Sequence, residues 1–502
     1  MNCGWRSHVA GLLVGDHNKK KSAKKAGDYM SEMWEPYGCI DFDAPNVWGL
    51  SGEDQNQLNE LVEVWKRKLV RNRNKKTYYE QKNVMKDLGI SIPPALKNME
   101  CALGWPAKSV DMLSVRSRFD GFVLPGDEDI GINDIFSANN FGVLYRQATT
   151  SELIHSCAFI TVSKGGPGDP DVVLSAYDAE TAAALWDSRR KKIKCGMTIV
   201  EVDPKTREPT HINLYTQAAI IELYRGSSGI WSGDYKAHKQ GRPLMEPMVY
   251  RPSLDRPFGK SRISRAVMSI TDSAVRTAVR TEISSEFFTS PQKYIMGADP
   301  QLFANNSKWE AYMGSFFAVS KDEDGDVPSV GQFPQASMQP HMDYMRSLAA
   351  QFAGETGIPI SSLGVIHDNP ASAEAIYAAK EDLIIEAEGL NETNGMALRN
   401  IGLLVAAIAG NTTVDALPDD VKKIQPRFRN PAIPSVVSQS DAIIKQVSAI
   451  PWIAESQVAL EELGYTESQI TRLLSDKRKY ESKKALESIR LSLNSGGSDA
   501  EP

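Results

Sequence analysis

The residues whose types and order come closest to chemistry are Gly259, Lys260 and Ser261. A glycine, a lysine and a hydroxyl in that order close the phosphate-binding loop of nucleotide-using enzymes, where backbone N–H groups cradle phosphates and the lysine reaches them. That loop needs its first glycine five positions before Gly259, where Leu254 stands, and Pro257 lies between with no clear strand leading in. A nucleotide-binding enzyme built on Gly259-Lys260-Ser261 is therefore the weaker alternative. Gly165 to Gly168 follows a strand-like run but leads into Pro170 rather than a helix, so it reads as a hairpin loop. No HExxH helix, no GxSxG elbow and no acidic set at metal-ligand spacing occurs. The 7 histidines are scattered, and Cys3, Cys39, Cys101, Cys157 and Cys195 form no CxxC pair. The expectation is no catalytic residue, no metal and no cofactor, with free thiols.

A second set of residues has a pattern without a reaction. Stepping about 100° per residue, Arg262, Arg265, Ser269, Ser273, Arg276 and Arg280 share one arc, while Ile263, Val267, Ile270, Ala274 and Ala278 gather opposite. Arg251-Pro252, Arg256-Pro257 and Gly259 keep the chain out of helix before them, and nothing breaks a helix again until Pro291. The spacing predicts a rod on the order of 40 Å long, cationic and hydroxylic on one side and small and apolar on the other.

The 502-residue chain is 41% hydrophobic and 24% charged, the composition of a folded protein of several domains, with a net charge of −6. That balance argues against a broad DNA-clamping surface and leaves room for a local basic stripe. The apolar patch Val9 to Val14 precedes a lysine-rich segment, the wrong order for a signal peptide, and Leu403 to Ala409 is far too short to cross a membrane. The expectation is a cytosolic protein without membrane insertion.

Met1 to Tyr37 reads as a mobile arm. Leu58, Leu61, Val62, Trp65 and Leu69 put a helix within Asp54 to Lys97, and Tyr78 and Tyr79 suit packing onto a neighbouring domain better than base stacking. A helix from Trp105 leads to a strand at Phe119 to Leu124, and another helical segment ends near Ser156. Cys157 to Ser163, Val172 to Ala176, Cys195 to Val202, His211 to Thr216 and Ala219 to Arg225 read as strands of an antiparallel meander, with a short helix at Ala179 to Asp187. After Pro291 comes a small unit: a strand at Gln292 to Met296, a short helix near Ser307 to Met313, a strand at Phe316 to Lys321, then an acidic turn and an extended stretch through Pro334. Its strands need partners from elsewhere. A helix at His341 to Ala353 returns the chain, and Pro370 to Ala409 is a long helix that Gly389 and Gly395 should bend or interrupt. Three short helices occupy Ser440 to Tyr480, and a polar tail follows.

Arg256 to Ser264 (RPFGKSRIS), the helix after it, and Ile358 to Ile376 (IPISSLGVIHDNPASAEAI) resemble the portal proteins of tailed double-stranded-DNA bacteriophages, in the form common among phages of actinobacteria. The resemblance runs from about Tyr79 to Tyr480 with its parts in order. It implies an α+β ring subunit, not an enzyme. Its parts would be a flexible arm (1–37), a wing (38–255), a first stem helix (256–290), a clip (291–338) and a second stem helix (339–356). A tunnel loop (357–372), a long wing helix with connector (373–430), a crown (431–482) and a polar tail (483–502) would complete it. It also implies a homo-oligomer, typically twelve subunits, placed at one capsid vertex of the virion after assembly in the host cytoplasm. Implied partners are double-stranded DNA held transiently without sequence preference, the large terminase subunit, a head-tail adaptor, the major capsid protein and a scaffold protein. The acidic turn Asp322, Glu323, Asp324 and Asp326 becomes the docking feature of the clip. A head or connector protein that forms no ring is the other alternative.

A ring repeats each lumenal cation once per subunit, whereas a protein making roughly 6–10 phosphate contacts already binds DNA tightly at low salt. Arg262, Arg265, Arg276 and Arg280 are therefore expected to be consumed largely by ion pairs with neighbouring subunits, with Asp272, Glu282 and Glu286 as partners. His367, Asp368 and Asn369 would then be the narrow polar contact with DNA. Replacing these three with lysine should leave rings intact and slow packaging most at low salt. Packaging at the wild-type rate at every salt concentration would remove the loop from the DNA path.

Overall fold

A computed structural model of the chain describes residues 39–83, 101–124, 131–289, 293–296, 329–332, 337–364, 380–432, 436–465 and 467–495. They fall into two compact units that divide between Pro431 and Ala432. The expected arm, the acidic turn and the tip of the expected tunnel loop lie outside the described residues.

Helix α1 (Gly52–Tyr79) starts where the Ser51 hydroxyl accepts from the Asp54 amide at 3.1 Å, with Glu53 and Asp54 favourably placed against the helix dipole. Its Leu58, Leu61, Val62, Trp65 and Leu69 are buried, and the Trp65 indole N–H donates to the Glu180 carbonyl at 2.7 Å. Tyr78 is buried and Tyr79 donates to Asp111, so both tyrosines are packing residues. Helices α2 (Trp105–Ser114), α3 (Ile132–Ala138) and α4 (Phe141–His155) follow.

The strands in chain order are β1 (Val47–Trp48), β2 (Phe119–Val123), β3 (Cys157–Lys164), β4 (Val172–Asp178), β5 (Ala182–Asp187), β6 (Lys192–Val202), β7 (Pro209–Tyr215), β8 (Ala219–Arg225), β9 (Trp231–Ala237) and β10 (Met245–Val249). Strands β5 to β9 form the antiparallel meander, β1 joins β9 in parallel, and α1 shares a hydrophobic core with this sheet. A second sheet has the order β10-β3-β4. The helix expected at Ala179 to Asp187 is instead a turn followed by β5. The Asp178 carboxylate accepts from the amides of Glu180 and Thr181, and the alanines that favour helix are then paired with β6. Strands β9 and β10 had no sequence signal. In β9 most side chains are exposed, and β10 carries Pro247, which an edge strand tolerates.

Helix α5 (Arg265–Thr289) leads to a hairpin of β11 (Lys293–Met296) and β12 (Ser329–Gln332), and α6 (Gln339–Thr356) returns. These two described strands pair with each other, while the expected helix near Ser307 to Met313 and strand at Phe316 to Lys321 lie outside the described residues. Ser264 just before α5 donates to Glu355 near the end of α6, and Ser284 near the end of α5 meets His341 near the start of α6, so the helices are antiparallel. Helix α7 (Glu381–Ala409) runs without interruption through Gly389 and Gly395. Close approach falls at Gly402, where a Cβ would sit 3.1 Å from the Phe122 ring. Strand β13 (Gln425–Phe428) then pairs with β2.

In the second unit, α8 (Val436–Ala449), a 3-10 turn at Pro451–Glu455 and α9 (Gln457–Glu462) precede α10 (Glu467–Ser495). The expected tail from position 483 is thus helical as far as Ser495. Its sequence is dominated by good helix formers, and Lys477 and Glu481 pair one turn apart.

Between α4 and α7 a polar cluster is sealed in the first unit. Asn394 donates to Glu152 at 2.8 Å, and Ser117 lies 2.6 Å from both the Tyr145 hydroxyl and Asn391 Oδ1. Burial pushes the Glu152 carboxyl from 4.5 to about 8. Glu152 Oε2 and Asn394 Oδ1 are both buried without a hydrogen-bond partner, and a protonated Glu152 carries an O–H donor that the ionised form lacks. A carboxyl more easily protonated when folded than when unfolded adds stability that is complete below pH 4.5 and lost as pH rises through about 8. Glu152→Gln should remove that fall, so the unfolding midpoints of wild type and variant should diverge from about pH 5 to pH 8 and run parallel above it. Profiles parallel over the whole range would mean that Glu152 stays ionised in the fold.

Candidate functional site

The approach to α5 is built from one strained turn. After β10, Tyr250 and Arg251 change direction, with Arg251 at φ 47°, and the chain folds back so that the Lys260 amide donates to the Tyr250 carbonyl at 3.0 Å. Gly259 has φ 70°, and a Cβ there would lie 2.1 Å from the Tyr250 oxygen, which no other residue could accept. The Ser261 hydroxyl donates to the Ile154 carbonyl at 2.5 Å and the Arg262 amide to the Leu153 carbonyl at 2.8 Å. These bonds satisfy carbonyls at the end of α4 that its own helix cannot. Ser264 then accepts from the Val267 amide at 3.1 Å and caps α5.

This geometry disposes of a phosphate-binding loop at these positions. Gly259 donates its amide to Arg256, Ser261 is committed to Ile154, and only Lys260 is exposed. Among the described residues no group of three His, Cys, Asp or Glu side chains could hold a metal ion.

The same turn delivers Arg262 into the protein. Its side chain is 3% exposed; Nε donates to the Ser109 carbonyl at 2.8 Å, Nη2 to the Thr356 carbonyl at 2.6 Å, and Nη1 to the Tyr250 hydroxyl at 3.0 Å. Nη1 is also 2.5 Å from Glu386 Oε2, while Arg251 meets Glu386 Oε1 at 2.7 Å and Tyr250 donates to that same oxygen. Burial pushes the Tyr250 phenol up to about 12, so it remains a donor. One guanidinium thereby joins α2, the turn after β10, the C-terminus of α6 and the second turn of α7. Its charge at the last turn of α6 is also favoured by that helix's dipole. The site is a mechanical junction, with the chemistry of a clamp.

Arg262 therefore corrects the expectation that it pairs with a neighbouring subunit. Asp272 is likewise buried and accepts from Tyr78 at 2.8 Å. The other predicted residues are spread along α5. Arg265 and Glu282 are exposed, Arg276 donates to Ser273 at 2.8 Å, and Arg280 is half-buried. On the apolar side Ile263, Val267 and Ala274 are buried as predicted, joined by Val275 and Val279. Nothing is described for the side chain of Glu286, for His367, Asp368 and Asn369, or for Asp322, Glu323, Asp324 and Asp326. Glu386 and Tyr250 were missed; a lone glutamate on the buried side of a long helix was the available signal.

No protein-family model matches the chain. The chain is 26% identical over 423 residues to the portal protein of Mycobacterium phage D29, covering 81% of this chain and 85% of that relative. It is 26% identical over 405 residues to the portal protein of Mycobacterium phage L5, covering 78% and 81%. These two relatives show the likeness to actinobacteriophage portal proteins read from the sequence. Among solved structures, a chain in the virion of a native gene transfer agent particle is similar at a TM-score of 0.39 and 12% identity, covering 69% of this chain and 85% of that one. A chain in the neck of the native particle, computed with C12 symmetry, has a TM-score of 0.40 at 12% identity, covering 71% and 89%. Both are too distant to decide details of the fold.

Arg262→Ala leaves Glu386 with Arg251 and Tyr250 alone and takes the guanidinium donors from the Ser109 and Thr356 carbonyls, and should cost about 3–5 kcal/mol in chemical denaturation. Adding Glu386→Gln should recover part of that loss. A double variant no more stable than Arg262→Ala alone would show that the pair does not couple the helices.

Proposed function

We propose that the chain is the repeating subunit of a phage portal, a closed ring at one capsid vertex through which the genome is packed and later released. The observation that carries this reading is the likeness to two mycobacteriophage portal proteins across most of both chains. The architecture supports it. A 25-residue helix, about 37 Å long, and its antiparallel return present a rod with one polar side, as a channel wall requires. The described strand pair at its far end offers edges that a neighbouring subunit would extend or cover. In this reading α5 and α6 are the stem and 291–338 is the clip that meets the terminase and later the head-tail adaptor, through Asp322 to Asp326. The loop carrying His367, Asp368 and Asn369 narrows the channel. The clamp around Arg262 ties the stem to the wing, so force on one is transmitted to the other.

With Arg262 buried, Arg265, Arg276 and Arg280 are the cations left to face the channel or a neighbouring subunit. Class averages of the purified protein by electron microscopy should show end-on rings with rotational symmetry, and light scattering should give a mass of many subunits. A protein that stays monomeric and folded at high concentration would refute the ring.

A further inference from the structure

Beside the strained turn lies a concave pocket of about 430 Å³ that the clamp does not use. Lys68, Arg71 and Lys75, spaced three and four apart, place one face of α1 along it, and Arg256 and Lys260 reach it from the turn. The single carboxylate of the lining, Asp255, is exposed and paired with Arg256 at 3.5 Å. Lys75 is only 7% exposed, yet it has no hydrogen-bond or ion-pair partner among the described residues. Desolvation, and the charge of Arg71 after it, lowers its ammonium to about 8. A buried cation without a counter-charge is costly, and Arg71 raises the cost. An anion is what the arrangement lacks.

We propose that this pocket binds a small phosphate-bearing anion, with Lys75 at its base, Lys68, Arg71 and Lys260 around the charge, and the Phe258 ring as an apolar wall. A dianion neutralises more of the cluster than a carboxylate does, and the volume lies within the usual range for small-ligand pockets of roughly 300–1,000 Å³. The site is not a phosphate loop: its cations come from side chains of α1, with Lys260 the one contribution of Gly259-Lys260-Ser261. The observations behind the proposal do not depend on the ring reading.

The test is calorimetric titration of the full-length protein with inorganic pyrophosphate. Wild type should bind one per subunit, and Lys75→Met, Lys68→Ala with Arg71→Ala, and Lys260→Ala should each weaken binding about tenfold or more. Lys66→Ala, which removes a cation paired with Asp43 outside the pocket, should not. Lys75→Met should unfold at or above the wild-type temperature, because it deletes an uncompensated buried charge. A duplex of about 20 base pairs separates the sources of phosphate. If pyrophosphate displaces it and the same variants weaken it, the backbone of DNA is the ligand; if the duplex is indifferent to both, the ligand is a free small molecule. Absence of saturable pyrophosphate binding, or binding that all three pocket variants leave unchanged, overturns the proposal. Binding by dissociated subunits that vanishes in rings overturns it too, and assigns the pocket to a contact between copies.

Discussion

Moving a guanidinium and a carboxylate out of water costs several kcal/mol for each ion, and only close pairing with every remaining donor satisfied repays it. Arg262 meets that demand with acceptors from Ser109, Tyr250, Thr356 and Glu386, which lie on different elements. Because each bond tolerates little displacement, the four elements are held in one arrangement. The position of the long α5–α6 pair on the rest of the first unit follows from that constraint. So does Gly259, since the turn that aims Arg262 inward brings a carbonyl where any side chain would stand.

Three buried ionisable groups in the first unit meet the same desolvation problem in three ways. Arg262 is paired, and its charge ties elements together. Glu152 is made neutral by burial, so that its cluster with Asn394 and Tyr145 behaves as an ordinary hydrogen-bonded core between α4 and α7. Lys75 is neither paired nor sealed, because it opens into a pocket. The first two solutions stabilise the fold, while the third leaves a site with unmet electrostatic demand. A buried cation left in that state beside a cleft is a candidate binding residue.

For a channel through which DNA must slide, each cation withdrawn from the polar face of α5 reduces the stickiness of the wall in proportion to the number of subunits. In the proposed ring, burying Arg262 inside its own subunit would achieve this without a neighbour's help. The threonines of α5 serve packing instead, Thr271 and Thr277 being buried. Thr271, Thr277 and Thr281 donate to carbonyls four residues back, which keeps hydroxyls occupied along the helix.

Much of the fold was legible locally. The buried set of α1, the extent of the helix after Arg262 and the meander from β6 to β8 all follow from periodicity and from the places of proline and glycine, which act through the nearest few residues. The likeness to portal proteins was legible as well, because it rests on the order of short segments. Tertiary structure alone decided β5 and β10. Pairing with β6 overrode the helix preference of three alanines, and an edge position made Pro247 harmless. It also decided the partners of Arg262, which looked like one more arginine on a basic stripe. The acceptors at Thr356 and Ser109 stand 94 and 153 residues away, and no periodicity reports an approach over that distance. A charge declares its spacing in the sequence, but whether water or a carboxylate surrounds it is set by the elements that fold over it.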